Sequence, residues 1–411
     1  MTPALGKVVS RLERSKSIMA LGVIALLAEL GYATLNQSAL QPYVAYELGL
    51  GAKWVSWTLA VFLLVEALFR PIMGAIGDRI GRKPLLIAGP IASCVSALLI
   101  VRMTDPGAIL VVRVLDGFGA AAIWPTAFAL VGDTVESENR SLAMSVLNVT
   151  YMIGIALGPL LGGAVNDLTG SERAAFYPIA ILFALTTLVA LLALPKSRPH
   201  KREDGEQEYH LSDLAASLRA IPHMLAMVFL AFCAVGLLIP IVKLYAMDDL
   251  KLTETGYGVL LLPAAAVLAA LAIPLGRLGD GWGRTQAVRL GVSVAAAAMW
   301  LVASTAYLPA LALGGSLLGV GFLIAMPAWL ALISELAPTA TRGRIMGAVG
   351  MSQGLGAITG SVLGGYLYDG SLSLSGAAPH VAPFALSAAL LTLTAFLTFA
   401  FLRRKAPQGG A

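Results

Sequence analysis

Gly74-Ala-Ile-Gly77-Asp78-Arg79-Ile-Gly81-Arg82-Lys83 and Gly276-Arg-Leu-Gly279-Asp280-Gly-Trp-Gly283-Arg284 are one motif written twice, 202 positions apart. The offset holds far beyond the motif. Gly117 maps to Gly319, Gly119 to Gly321 and Pro125 to Pro327. Arg140 maps to Arg342, Gly154 to Gly356, Gly158 to Gly360 and Asp167 to Asp369. Upstream, Tyr43 maps to Tyr245 and Leu50 to Leu252. One register kept from Tyr43 to Asp167 marks an internal duplication, so the chain is predicted to be two equivalent halves.

Composition says where those halves reside. Hydrophobic residues make up 58% of the chain and charged residues 12%, with a mean hydropathy of +0.82. A soluble domain carries about 25% charged residues, and an apolar run of about 20 residues crosses a bilayer as a helix. Runs of that kind fall at 18–40, 54–77, 85–104, 107–132, 141–165 and 174–195, and again at 222–246, 256–279, 286–305, 308–334, 345–368 and 381–402. Six per half, twelve in all, agree with the duplication. The first run is too long for a cleaved signal peptide, and no small-residue cleavage site follows it. Cys94 and Cys233 lie inside runs and read as packing residues, not a disulfide or metal pair. The histidines (His200, His210, His223, His380) have no metal-ligand spacing, so no metal is expected. Asn36, Asn139 and Asn148 begin Asn-x-Ser/Thr triplets, but in runs or on predicted cytoplasmic loops, where glycosylation is not expected.

Charge orients the chain. With the N-terminus in the cytoplasm, 21 of the 28 Lys and Arg fall on cytoplasmic loops and span ends. The other side keeps four: Lys53, Arg102, Arg173 and Lys251. The positive-inside rule then places both termini in the cytoplasm. It also accounts for the net charge of +5, so no nucleic-acid partner is expected. The long hydrophilic stretch at 196–220 reads as a cytoplasmic linker between an N-terminal bundle, 1–195, and a C-terminal bundle, 221–411.

The motif resembles the cytoplasmic loop between helices 2 and 3 of the major facilitator superfamily, and the twelve runs and central linker extend the resemblance across nearly the whole chain. Physically, Gly81 allows a tight turn, and Gly74 and Gly77 let the end of helix 2 approach a neighbour. Asp78 suits a helix N-terminus, and Arg79, Arg82 and Lys83 would hold the loop at an anionic leaflet. The resemblance implies that Asp78 latches the cytoplasmic side closed; the plainer reading is topology alone. In the second copy, around Asp280 and Arg284, Gly281 replaces the arginine, so the first latch is expected to be the stronger. Gly154-x-x-x-Gly158-Pro159-x-x-Gly162-Gly163 resembles the family's antiporter motif. Its glycines make a smooth helix face and Pro159 removes a backbone hydrogen bond. The plainer reading is small-residue packing, and the repeat partner of Pro159 is Ser361. Arg113-x-x-Asp116-Gly117-x-Gly119 resembles a third family pattern, in which the arginine takes part in proton coupling. Here Asp116 stands where glutamine is usual, and an i, i+3 pair can simply neutralise itself.

Six charges fall within the runs: Glu29, Glu66, Arg70, Arg113, Asp116 and Lys243. Each costs about 2.5–3.5 kcal/mol on insertion scales unless it faces a cavity or a partner. The repeat partners of the first five are Ala231, Leu268, Ala272, Gly315 and Leu318. The duplicated scaffold therefore builds the same helices without these charges. Glu29 and Glu66 sit mid-run, where a carboxyl withdrawn from water can take up and release a proton. Glu29 is the first choice for a proton site, with Glu66, Asp116 and Arg113 as further coupling candidates. Its plainer reading is a carboxyl hydrogen-bonded to Tyr32 or to backbone. Glu66 has Arg70 four residues on and can form a neutral pair. Glu29, Tyr32, Asn36, Trp124 and Lys243 are the candidate substrate contacts, although Lys243 could instead reach the surface.

The expected fold is all-α, two pseudo-symmetric six-helix bundles. The resemblance implies a monomeric secondary transporter in the cytoplasmic membrane of a prokaryote, working by alternating access among membrane lipids. It implies export of small amphipathic or lipophilic compounds, with a proton gradient as energy source and no cofactor. No Gly-x4-Gly-Lys-Ser/Thr loop is present, and no nucleophile–base pair suggests an enzyme. The alternatives are an importer or exchanger of organic anions or sugars, with Lys243 and Arg113 as ligands, and a lipid or lysolipid translocator.

Overall fold

A computed structural model describes residues 3–135, 137–194, 221–276, 281–336, 342–372 and 380–402, and all its regular structure among these is helical. The helices are α1 (Pro3–Thr34), α2 (Ala52–Ile80), α3 (Arg82–Ile100), α4 (Pro106–Thr134), α5 (Ser137–Thr169), α6 (Phe176–Ala193) and α7 (Pro222–Gly236). They continue as α8 (Val242–Asp248), α9 (Glu254–Gly276), α10 (Arg284–Ser304), α11 (Leu308–Leu336), α12 (Arg342–Tyr368) and α13 (Ala382–Phe401).

The chain divides into two compact units, one of Met1–Glu206 with Leu252–Val259, the other of Gln207–Lys251 with Leu260–Ala411. In the first, α1 packs on α5 and α6, α4 packs on α2 and α3, and α3 packs on α6. In the second, α7 packs on α12 and α13, and α10 packs on α11 and α13. These pairings are the first unit's, carried over by the 202-residue offset.

Glycine pairs make the match atomic. A Cβ on Gly89 would sit 2.8 Å from the Gly119 carbonyl oxygen, and one on Gly291 would sit 2.5 Å from that of Gly321. In both units the third and fourth helices therefore approach backbone to backbone. Gly81 and Gly283, also one offset apart, sit at φ +94° and +93° in the turns entering α3 and α10. Side chains rarely adopt that conformation, which is why the motif keeps glycine there twice.

Basic residues cap the last helix of each unit, α6 and α13, by different means. Lys83 Nζ donates to the Leu191 and Leu194 carbonyls at 2.7 and 2.6 Å. Arg289 donates to the carbonyls of Thr398, Phe399 and Leu402. A helix end leaves these carbonyls without partners, and a cation there also complements the dipole. Lys83 is thus spent on α6, where the sequence suggested an anchor to the leaflet. Lys83→Ala is expected to cost about 1 kcal/mol, read as a lowered melting temperature in detergent with transport retained.

Among the described residues, ten helices are long and apolar enough to cross a membrane, by length and composition. Two departures from the predicted runs are informative. The first run, expected to stop at 40, stays helical to Glu47 by passing through wider π turns at Leu35–Ala39 and Tyr43–Glu47. The run at 222–246 is divided into α7 and α8 by turns at 237–241 around Pro240, whose ring and missing N–H break helical pairing. The glycine-rich α12 is not among the ten.

Candidate functional site

α1, α2, α4 and α5 of the first unit surround a cavity of about 580 Å³. Glu29, Tyr32, Asn36, Glu66 and Trp124, singled out from sequence, all line it. So do Gln37, Phe62, Arg70, Phe128, Asn148, Tyr151 and Met152. Five of its sixteen lining residues are aromatic and six are polar or charged. Trp124 meets Tyr151 edge-on at 4.9 Å between ring centroids, and Phe128 lies 6.3 Å from Trp124. Tyr32 packs on Phe62 and Phe183.

Glu29, Glu66 and Arg70 line the cavity, while the coupling candidates Arg113 and Asp116 do not. Glu66 Oε1 accepts from Arg70 Nη2 at 2.6 Å, with the Arg70 side chain 52% exposed. Arg113 and Asp116 form an ion pair and are both 0% exposed. Arg113 is further held by the Asn36 amide oxygen at 2.5 Å, by the Thr58 carbonyl at 3.1 Å and by the Phe62 ring face. Each of the three guanidinium nitrogens thus donates to protein. Glu29 is buried and lines the cavity, and it makes no hydrogen bond or ion pair with any described residue. The expected partner Tyr32 shares a hydrogen bond with the Ser93 hydroxyl instead, at 2.7 Å.

The glycine motif of α5 sets where Glu29 stands. A Cβ on Gly154 would lie 2.8 Å from Glu29 Cβ, and one on Gly158 would lie 2.7 Å from the Thr34 nitrogen. Thr34 and Ser38 hydroxyls donate to the carbonyls of Gly158 and Pro159, each at 3.2 Å. α5 runs through Pro159 without a break in helix. Bare backbone at these positions lets α1 seat directly on α5, with Glu29 at the edge of the contact.

The remaining predicted residues lie elsewhere. At the α2–α3 turn, Asp78 pairs with Arg82 at 2.5 Å, and Arg82 also donates to the Gly74 carbonyl at 3.3 Å. Gly81 makes the turn, and Arg79 is exposed. Arg82 thus faces protein where an anchor to the leaflet was expected. In the second unit Arg284, the repeat partner of Arg82, pairs with Glu335 at 2.5 Å. Asp280 falls outside the described residues. Lys243 is fully buried in the second unit, so it does not reach the surface, and it does not line the cavity. Among the described residues no cluster of three metal-ligating side chains occurs.

Tyr151, Phe62 and Phe128 were missed in the sequence. Tyr151 had a legible signal: it precedes Gly154 by three positions and Gly158 by seven, so all three share one helix face.

The sequence model of the Major Facilitator Superfamily matches residues 21–233 and 224–411. An inner membrane transport protein of Escherichia coli K12, YajR, is 27% identical over 76% of this chain and 69% of its own. Multidrug resistance protein 1 of Bacillus subtilis is 23% identical over 80% of this chain and 84% of its own. A bicyclomycin resistance protein homologue of Haemophilus influenzae is 27% identical, but over only 46% of either chain. Among solved structures, the nucleoside transporter NupG superposes with a TM-score of 0.79 at 13% identity, over 94% of this chain and 99% of its own. A bacterial homologue of the human lysosomal transporter Spinster gives 0.74 at 16% identity, over 96% and 99%. At such identities these two establish the fold alone.

Proposed function

This chain belongs to the major facilitator superfamily, and we propose that it exports small amphipathic or lipophilic compounds in exchange for protons. It is a multi-pass membrane transporter and not an enzyme. The observation that carries the export reading is Glu29: a buried carboxyl with no hydrogen-bond or ion-pair partner among the described residues, lining a cavity with five aromatic rings in its wall. A carboxyl so placed can exchange a proton for a bound compound, and flat apolar walls hold lipophilic rings without demanding a fixed hydrogen-bond pattern. The names of the relatives from Bacillus and Haemophilus support the same reading. Arg113 is bound up with Asp116, Asn36 and a backbone carbonyl, which speaks against its serving as an anion ligand.

In this reading twelve crossings form two bundles that alternate access to the site. The transporter is a monomer in the cytoplasmic membrane of a prokaryote, both termini inside, and draws on the proton gradient without a cofactor. The test is dissipation of a pH gradient in proteoliposomes by drugs, sugars, organic acids and lipids. Amphipathic drugs are expected to discharge it; discharge by sugars or organic acids alone would overturn the reading.

Asp78, Arg79, Arg82 and Gly81, with Asp280 and Arg284 in the second copy, form the cytoplasmic gate in the same proposal. Asp78→Asn removes the charge that faces Arg82. The expected result is faster labelling of cysteines introduced on the cytoplasmic side. Unchanged labelling with normal transport would reduce the motif to a topology signal.

A further inference from the structure

Among the described residues, five charges lie inside the apolar runs of the first unit, and they nearly cancel. Arg113 and Asp116 neutralise each other out of reach of solvent, and Arg70 neutralises Glu66 within the cavity itself. Glu29 alone is left over. The second half has uncharged residues, Leu268 and Ala272, at the positions matching Glu66 and Arg70, so packing of the scaffold does not require the pair. Arg70 is also half-exposed, an arrangement that contributes little to stability.

We propose that Arg70 is a specificity-determining residue: by pairing with Glu66 it limits the cavity to one exchangeable negative charge and so to substrates carrying at most one positive charge. The inference rests on the export reading above. With Arg70 in place, the Glu66 carboxylate is matched by a guanidinium at 2.6 Å and so offers an arriving cation no net charge. Glu29 then makes the exchange alone, one cation arriving as one proton leaves. Without Arg70 the cavity would hold two unneutralised carboxyls. Two nearby carboxylates away from bulk water resist joint ionisation, so the empty cavity would hold protons that a dication displaces. The other titratable groups lining the space are the phenols of Tyr32 and Tyr151.

Ethidium and propidium test this directly, since they share a ring system and differ by one quaternary ammonium group. Binding is followed by fluorescence on the purified protein, and proton release by a pH indicator in weakly buffered, mildly acidic solution. Wild type is expected to favour ethidium and to release protons that disappear in Glu29→Gln. Arg70→Gln is expected to gain at least about tenfold in propidium affinity and roughly to double the protons released per propidium bound. Arg70→Lys, which keeps a cation beside Glu66, should retain the wild-type preference. Glu66→Gln leaves the guanidinium unopposed and should weaken ethidium binding by about tenfold; the double variant Glu66→Gln/Arg70→Gln should recover it. These last two variants read the same neutralisation without relying on Arg70→Gln to fold. Unchanged propidium affinity in Arg70→Gln, with Glu29-dependent ethidium–proton exchange intact, overturns the role of Arg70 and spares the export reading. Absence of any Glu29-dependent proton release in wild type overturns both.

Discussion

Proteoliposomes carrying Glu29→Gln are expected to accumulate no substrate when a pH gradient is imposed, falling to the level of protein-free vesicles. Glutamine keeps the size and the hydrogen-bonding capacity of the side chain but cannot exchange a proton. Because Glu29 has no ion-pair or hydrogen-bond partner among the described residues, the substitution strands no opposite charge and should leave the fold intact. Binding should survive in part, through the aromatic wall, and lose its dependence on pH. Glu66→Gln is the comparison and should do less to driven transport, since Glu66 is already committed to Arg70. Normal gradient-driven transport by Glu29→Gln, with Glu66→Gln or Asp116→Asn inactive, would move the proton site. Persistence of proton coupling in all three variants would remove antiport and favour facilitated or anion-coupled transport.

Gly158→Leu should be as severe by a different route. A Cβ alone at this position would sit 2.7 Å from the Thr34 nitrogen and 2.8 Å from the Ala33 carbonyl carbon. These are backbone atoms that cannot rotate aside. Overpacking a core costs about 1–3 kcal/mol when side chains can yield, and here α1 itself must move. Separating α1 from α5 would break the Thr34 and Ser38 hydrogen bonds to the Gly158 and Pro159 carbonyls and displace Glu29. The expected outcome is a lowered melting temperature in detergent and loss of transport. Ser361→Pro, which writes the α5 pattern into α12, is not expected to improve transport. Wild-type transport by Gly158→Leu would sink the case for this glycine face.

Much of this architecture was legible because duplication leaves a ruler in the chain. The offset that aligned Gly81 with Gly283 and Gly119 with Gly321 needed no knowledge of packing, and the structure places both pairs in matching turns and crossings. Glu29, Glu66 and Trp124 were found because a charge or a large ring in an apolar helix calls for an explanation, and all three line the cavity. Phe62 and Phe128 gave no such signal, since an aromatic residue in an apolar run has nothing to distinguish cavity from core. Ser93 was missed for the opposite reason: a small hydroxyl in a helix usually bonds its own backbone, and this one takes the Tyr32 hydroxyl from another helix. The π turns of α1 were also out of reach. They arise where Pro42 and the polar Asn36-Gln37-Ser38 stretch disturb regular pairing, and period counting assumes that pairing is regular. Pro240, by contrast, announced the break between α7 and α8, and averaging hydropathy across the run hid it.

The two ion pairs of the first unit differ in one more respect: how they answer to salt. Raising ionic strength from 0.01 M to 1 M shortens the screening length from about 30 Å to about 3 Å, but only where ions can enter. Arg113 and Asp116 are sealed at 0% exposure, so their attraction is indifferent to the medium. Arg70 is 52% exposed and lines the cavity, where its hold on Glu66 is expected to weaken as salt rises. The medium can therefore loosen the pair that rations charge in the cavity while the pair that braces the helices stays put. A cell in brine and a cell in fresh water would then carry the same protein with different discrimination between singly and doubly charged compounds.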